Sequence, residues 1–205
     1  MKIIARANAI INLSKYAGQN LKDLVLKHKV TTFETSKQNK SWKGLVLEKL
    51  PGLDNTSKAP NGLDFELKSV SFCEGKGEFT PKETMAITVI NPKDLLETEF
   101  YDSRCWSKLK SIIFCAVKWN GKNSKDAQLL KVTSFDFTND GNLIAEIKED
   151  YDFIKNKLKN SGFVSLTGKD GKWIQARTKG SGHGSITRAF YARKSLVKRI
   201  FDNSI

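Results

Sequence analysis

Histidine is nearly absent from this chain. His28 and His183 are the only two in 205 residues, which leaves no material for a site built on several imidazoles. Cysteine is also scarce. Cys73, Cys105 and Cys115 are odd in number and show no CxxC spacing, so neither a disulfide framework nor a zinc site is expected, and a reducing compartment is. Cys115 lies inside an apolar run and reads as core packing. Long hydrophobic runs are missing as well. No stretch approaches the roughly 20 apolar residues of a membrane span. Met1 to Leu13 is broken by Arg6, Asn8 and Asn12, a poor signal peptide. Internal repeats, low-complexity tracts and linkers are lacking too. These absences lead to an expectation of a cytoplasmic protein with no membrane partner, folded as a single domain over residues 1–205.

Negative charge is the last shortage. There are 22 Asp and Glu against 35 Lys and Arg, a formal charge of +13. A surplus of that size suits a polyanionic partner. It is also localised. Between Gly171 and Phe201 stand Lys172, Arg177, Lys179, Arg188, Arg193, Lys194, Lys198 and Arg199, with no Asp or Glu. Cations there can neutralise phosphates and give affinity that falls with salt. Gly180, Gly182 and Gly184, with Ser181 and Ser185, make a loop able to approach a groove closely. From that loop Arg177 and Lys179 can reach guanine O6 and N7. His183 reads as a polar contact in it, since no carboxylate or second histidine lies nearby in sequence.

The pattern along the chain predicts alternating helices and strands. Leu21, Leu24 and Val25 give helical spacing within Ser14–His28, and Trp42–Leu50 is a second short helix ended by Pro51-Gly52. Asp54–Gly62 is a loop. A strand at Leu63–Lys68 and another at Thr84–Ile90 follow, and Asn91-Pro92 caps a helix at Lys93–Glu97. Ser111–Val117 is a continuous apolar run, suited to the centre of a sheet covered on both faces. Asn139-Asp140-Gly141 is expected to join Leu129–Phe137 to Leu143–Ile147 as a hairpin. Lys169-Asp170-Gly171 is expected to join Phe163–Thr167 to Trp173–Ala176 in the same way. Helical patterns sit at Glu149–Lys159 and Ile186–Phe201. The four tryptophans, Trp42, Trp106, Trp119 and Trp173, read as core. The fold class is α/β (α+β), with a mixed central sheet flanked by helices.

Chemistry concentrates at Leu63-Asp64-Phe65-Glu66-Leu67-Lys68. Side chains alternate along a strand, so Asp64, Glu66 and Lys68 share one face and Leu63, Phe65 and Leu67 the other. A carboxylate there can ligate Mg²⁺, a hard cation that prefers oxygen. The lysine can orient or deprotonate a water, or offset charge on a phosphoryl transition state. The apolar phase then slips from odd positions to Val70 and Phe72, which predicts a bulge or strand end just after Lys68. Glu48, on the helix upstream, can add a further carboxylate. The same ExK spelling recurs at Glu146-Ile147-Lys148.

Trp42-Lys43-Gly44-Leu45-Val46-Leu47-Glu48, Ser57-Lys58-Ala59-Pro60-Asn61-Gly62 and Glu66-Leu67-Lys68 together resemble the MutH-type branch of the PD-(D/E)xK nucleases. The likeness continues at Trp106-Ser107-Lys108-Leu109-Lys110, at Arg177-Thr178-Lys179-Gly180 and at Ala189-Phe190-Tyr191-Ala192-Arg193, which resembles the start of the closing helix. The resemblance implies a restriction-endonuclease-like core, Mg²⁺ as cofactor, and double-stranded DNA as partner, bound by a monomer or homodimer. It implies a catalytic part over about residues 42–118 and a DNA-reading part over about 171–201. Glu66 would be a metal ligand, Lys68 the water-positioning lysine, Glu48 an accessory carboxylate and Lys108 an assisting lysine. Arg177, Thr178, Lys179, Gly180, His183, Arg188, Tyr191 and Arg193 would form the DNA-binding set. One position departs from the family. Its aspartate normally follows the proline, and here Asn61 follows Pro60. Three explanations stand: Asp64 is the second metal ligand, Asp54 folds in instead, or the site carries an inactivating Asp→Asn change. The expected function is a type II restriction endonuclease. The alternatives are a mismatch-repair nickase and a DNA-binding module without catalysis.

Overall fold

The computed structural model describes residues 4–30, 33–34, 37–38, 42–53, 62, 64–119, 127–180 and 186–203. The chain gathers into two compact units, neither continuous in sequence. The first holds residues 1–83, 112–135 and 200–205, and the second holds 84–111 and 136–199. Helices and a mixed sheet make up the fold, as the sequence pattern predicts. No helix among the described residues is long and apolar enough to cross a membrane.

The first unit contains helices α1 (Arg6–Ser14), α2 (Leu21–Lys27) and α3 (Trp42–Lys49). Its strands are the short pair β1 (Phe33–Glu34) and β2 (Lys37–Gln38), then β3 (Glu66–Gly75) and β4 (Glu78–Pro81). Two further strands of its sheet, β6 (Ser111–Trp119) and β7 (Ala127–Asp136), follow the crossing into the second unit. The order is β4-β3-β6-β7. β3 runs parallel to β6 and antiparallel to β4, which makes the sheet mixed. The apolar run forms β6, buried from Ser111 to Val117 in the interior of the sheet as expected. β3 and β4 close through Lys76 (φ 53°) and Gly77 (φ 80°). Two consecutive positive φ values match the twist of a tight hairpin, a turn the sequence reading missed.

Several boundaries differ from expectation. Ser14 ends one helix, and a separate helix starts at Leu21, where the Asn20 side chain accepts a hydrogen bond from the Lys22 N–H. The central strand begins at Glu66, not Leu63. No bulge follows Lys68: Glu66 to Phe72 pair with Ile112 to Lys118 in one unbroken register. The phase slip has another cause. Both faces of β3 are covered, so its apolar residues change face without a break. Leu67 joins Ile113 and Cys115 in the core that α3 enters through Val46 and Leu47. On the opposite face Phe72 meets Phe114 edge-on at 6.1 Å and Phe201 at 4.5 Å.

The second unit contains β5 (Met85–Val89), α4 (Pro92–Glu97), α5 (Arg104–Leu109), α6 (Gly141–Ser161), β8 (Ile174–Thr178), β9 (Arg188–Ala192) and most of α7 (Lys194–Asp202). Asn91 caps α4 by accepting from the Lys93 and Asp94 N–H groups, with Pro92 in first position, as predicted. Neither expected hairpin exists. Asp140 caps a 21-residue helix by accepting from the Leu143 N–H, so Asp-Gly starts α6 rather than turning a strand. The stripe Leu143, Ile147, Tyr151, Ile154 and Leu158 is buried at three- and four-residue steps. That helix is longer at both ends than the expected Glu149–Lys159, and it carries the second ExK triplet. Phe163–Ser165 is a single 3₁₀ turn, and β8 pairs with β9 instead. Residues 188–192 are strand, so the closing helix begins at Lys194 rather than Ile186. The sheet order is β5-β9-β8. Two tryptophans are core, Trp42 and Trp106. Trp119 and Trp173 are half-buried, because each holds a polar group: the Lys82 ammonium stands over Trp119, and the Trp173 indole donates to Glu146.

Candidate catalytic centre and nucleic-acid interface

In the first unit β3 opens with the chemistry. The Glu66 side chain is only 3 % exposed, and the Lys68 Nζ stands 3.1 Å from its Oε1. The two-residue offset along the strand puts both groups on one face. That face then turns apolar at Val70 and Phe72, both buried. Two opposite charges are thus held largely out of solvent at the start of the strand, where their attraction is stronger than in water. A buried charge pair of this kind is maintained only while both partners remain.

A tight turn delivers the strand to this position. The Gly62 N–H donates to the Phe65 carbonyl at 3.0 Å. The Phe65 ring, 1 % exposed, occupies the space a Cβ on Gly62 would need, 2.2 Å from its Cε1. Any larger residue there would push the ring aside. The role of Gly62 was not read from the sequence, although a glycine just before the strand was a visible sign of close approach.

The other expected members lie as follows. Glu48 is half-buried on α3, the helix packed on β3. Its main-chain carbonyl accepts from the Leu53 N–H at 2.9 Å. Asp64 is exposed on a bend before β3, not on the strand, so strand alternation does not align it with Glu66. Asn61 and Asp54 lie outside the described residues. Lys108 is half-buried in the last turn of α5, in the second unit. Among the described residues no three His, Cys, Asp or Glu side chains gather as a metal cage. The donors on β3 still suit a hard cation such as Mg²⁺, which commonly takes one or two carboxylates and leaves its other positions to water and phosphate. Elsewhere in this unit burial lowers the Lys43 ammonium, and burial pushes the Cys115 thiol up to about 12, which makes it inert packing.

In the second unit the basic residues separate into two groups. Arg177, Thr178, Lys179 and Gly180 are all exposed where β8 leaves the sheet. Arg177 stands over the half-buried Tyr191 ring, 5.4 Å from its centroid, and donates to the Thr84 hydroxyl at 3.4 Å. Thr84 was not singled out from the sequence, because it lies 93 residues away. Arg188 and Arg193, also expected among the DNA contacts, are engaged within the fold. Arg188 is 8 % exposed and donates to the carbonyls of Leu166 and Val164. Arg193 donates to the carbonyls of Gly171, Gly168 and Asp170. Both guanidiniums are occupied by the backbone of the turns around them. His183 lies outside the described residues.

The root of β8 is held unusually well. The Asp150 carboxylate, buried on α6, accepts three backbone hydrogen bonds, from Lys172 (2.6 Å), Trp173 (2.6 Å) and Ile174 (2.9 Å). Gly171 has φ +78°, and a Cβ there would lie 2.0 Å from the Ile174 carbonyl. Burial raises the Asp170 carboxyl, but hydrogen bonds from Lys157 and from the Thr167 N–H outweigh it and leave the group below its ordinary value. Glu146 is also held low, by its hydrogen bonds from Lys172 and the Trp173 indole. Sequence reasoning missed these anchors, since all but the Thr167–Asp170 bond join residues more than ten positions apart.

Residues 54–150 match a family model described as DNA mismatch repair enzyme MutH. The matched segment contains Asp64, Glu66, Lys68 and Lys108, and it ends before the basic hairpin. The curated proteins give no match.

Proposed function

We propose, for a chain related to the MutH-like PD-(D/E)xK nucleases, that it is a Mg²⁺-dependent, sequence-specific endonuclease of double-stranded DNA acting as a type II restriction enzyme. One observation carries the reading: within the matched segment, a carboxylate withdrawn from solvent and a lysine 3.1 Å away open the central strand together. Glu66 supplies the hard oxygen that holds the cation. A cation held there would supply Lewis acidity toward a phosphate substrate. Lys68 orients the attacking water, and its charge offsets that developing on the phosphate. Arg177 and Lys179, exposed and free of acidic neighbours in sequence, meet the polyanion. DNA binds as monomer or homodimer in this reading.

The test is plasmid cleavage with Mg²⁺, wild type against Lys68→Ala, with DNA binding read in parallel. The reading expects linear product from the wild type and none from the variant, with binding retained by both. Nicked circles alone would favour the repair-type nickase. Asn61, at the position where the family carries aspartate, supports one other reading, a DNA-binding module without catalysis. Binding without cleavage by the wild type would favour that.

A further inference from the structure

Ile186 is the most exposed large apolar side chain of the chain's described residues, at 74 %. Leu26 and Val164 are almost as exposed, at 72 % and 73 %. Ile186 differs in its surroundings. The β8–β9 pairing continues past Thr178 and Arg188, because the Lys179 N–H donates to the Thr187 carbonyl at 2.9 Å. Gly180, with φ +118°, and Ile186 are the next residues beyond that bond on the two chains. On both strands the ribbon stands clear of the protein: Arg177, Thr178, Lys179, Gly180, Ile186 and Thr187 are all exposed. A two-stranded ribbon is one of the two shapes that B-DNA's major groove admits. This one carries cations for phosphate and guanine, and one branched aliphatic side chain that the described residues leave 74 % exposed.

A lone aliphatic group on a solvated basic ribbon adds nothing to stability. In the major groove it has one apolar partner, the C5 methyl of thymine, and contact with that methyl separates T from C. We infer that Ile186 reads thymine in the recognition sequence by covering its methyl group. This rests on the reading of the ribbon as the DNA interface, and it adds a base that the cationic residues do not read. The chemistry requires at least one A·T pair in the site, placed where the ribbon enters the groove.

The experiment replaces thymine by uracil, which removes the methyl and leaves Watson–Crick pairing intact. Duplexes selected from a random pool on the wild-type protein are made with either base, and both binding and Mg²⁺-dependent cutting are measured. Wild type should prefer thymine DNA by about fourfold per methyl covered, the equivalent of burying one such group. Ile186→Ala should treat the two DNAs alike and keep the wild-type melting temperature, and Ile186→Val should regain part of the preference. A preference that survives Ile186→Ala, or no preference in the wild type, would overturn the assignment. A thymine preference in binding with no cutting at all would sink the endonuclease reading and leave this one standing. Failure to bind either DNA would end both.

Discussion

The two regions that carry function treat charge in opposite ways. On β3, Glu66 and Lys68 are largely withdrawn from water and meet each other at 3.1 Å. On the β8–β9 ribbon, Arg177 and Lys179 stand in solvent. The contrast follows from the tasks. A group that handles a proton or a cation gains from low dielectric and from one fixed geometry. A group that meets phosphate gains from reach, and in solvent it keeps its hydration until the phosphate arrives. Stability and function should therefore be coupled at the first region and separable at the second.

The sharpest way to break that comparison is at Lys68. Lys68→Ala leaves the Glu66 carboxylate buried without its ammonium, a loss of about 3–5 kcal/mol for a buried pair. Cleavage should fall by about 10²–10⁴-fold, the usual weight of such a group. Chemical denaturation and plasmid cutting measure the two effects. A variant as stable as wild type would show that the pair is more hydrated than its geometry implies.

Gly62→Ala comes next, and it tests the turn rather than the chemistry. The new methyl would displace the Phe65 ring, which overpacking data place at about 1–3 kcal/mol. Because Phe65 precedes Glu66 directly, the start of β3 should move with it. The expected outcome is reduced melting temperature together with reduced cutting, while DNA binding through the ribbon is retained. Unchanged cutting would show that the turn does not position Glu66.

The same contrast explains what could be read from the sequence. Glu66 and Lys68 were legible because strand alternation is local, and β6 was legible because seven buried residues in a row have few other uses. Asp140-Gly141 was misread because one dipeptide serves two roles. It closes a hairpin when alternating residues follow, and it starts a helix when Leu143, Ile147 and Tyr151 follow at steps of four. The phase slip after Lys68 points to a bulge or strand end, yet the strand runs on, because a strand covered on both faces does not alternate cleanly. Asp150, Arg188 and Arg193 were beyond reach. Each acts on backbone groups 22 to 25 residues away, and no periodicity records that.

At the exposed region the effects should separate. Arg177→Ala should weaken DNA binding and reduce the slope of affinity against salt by about one, as one lost phosphate contact does. If Arg177 reads guanine instead, specificity should relax with little change in the slope. Either way stability should stay within about 0.5 kcal/mol of wild type, the usual range for a surface change. A large loss of stability would mean that its contacts with Tyr191 and Thr84 hold the sheet together.

The smallest effect is set by pH at the root of the ribbon. The Asp170 carboxyl is held below its ordinary value by Lys157 and by the Thr167 N–H, against the opposing effect of burial. A lowered folded value means that the unfolded chain binds the proton first as pH falls. The stabilisation is therefore complete above the ordinary aspartate value of about 3.9 and disappears as pH falls through the lowered one. Asp170→Asn should flatten that part of the stability profile and leave the neutral region with a modest constant offset. Thermal melting from pH 2 to pH 7 measures both. A wild-type profile with no acid loss that Asp170→Asn removes would show that the turn's backbone bonds, through Asp150 and Arg193, anchor β8 without help from this carboxylate.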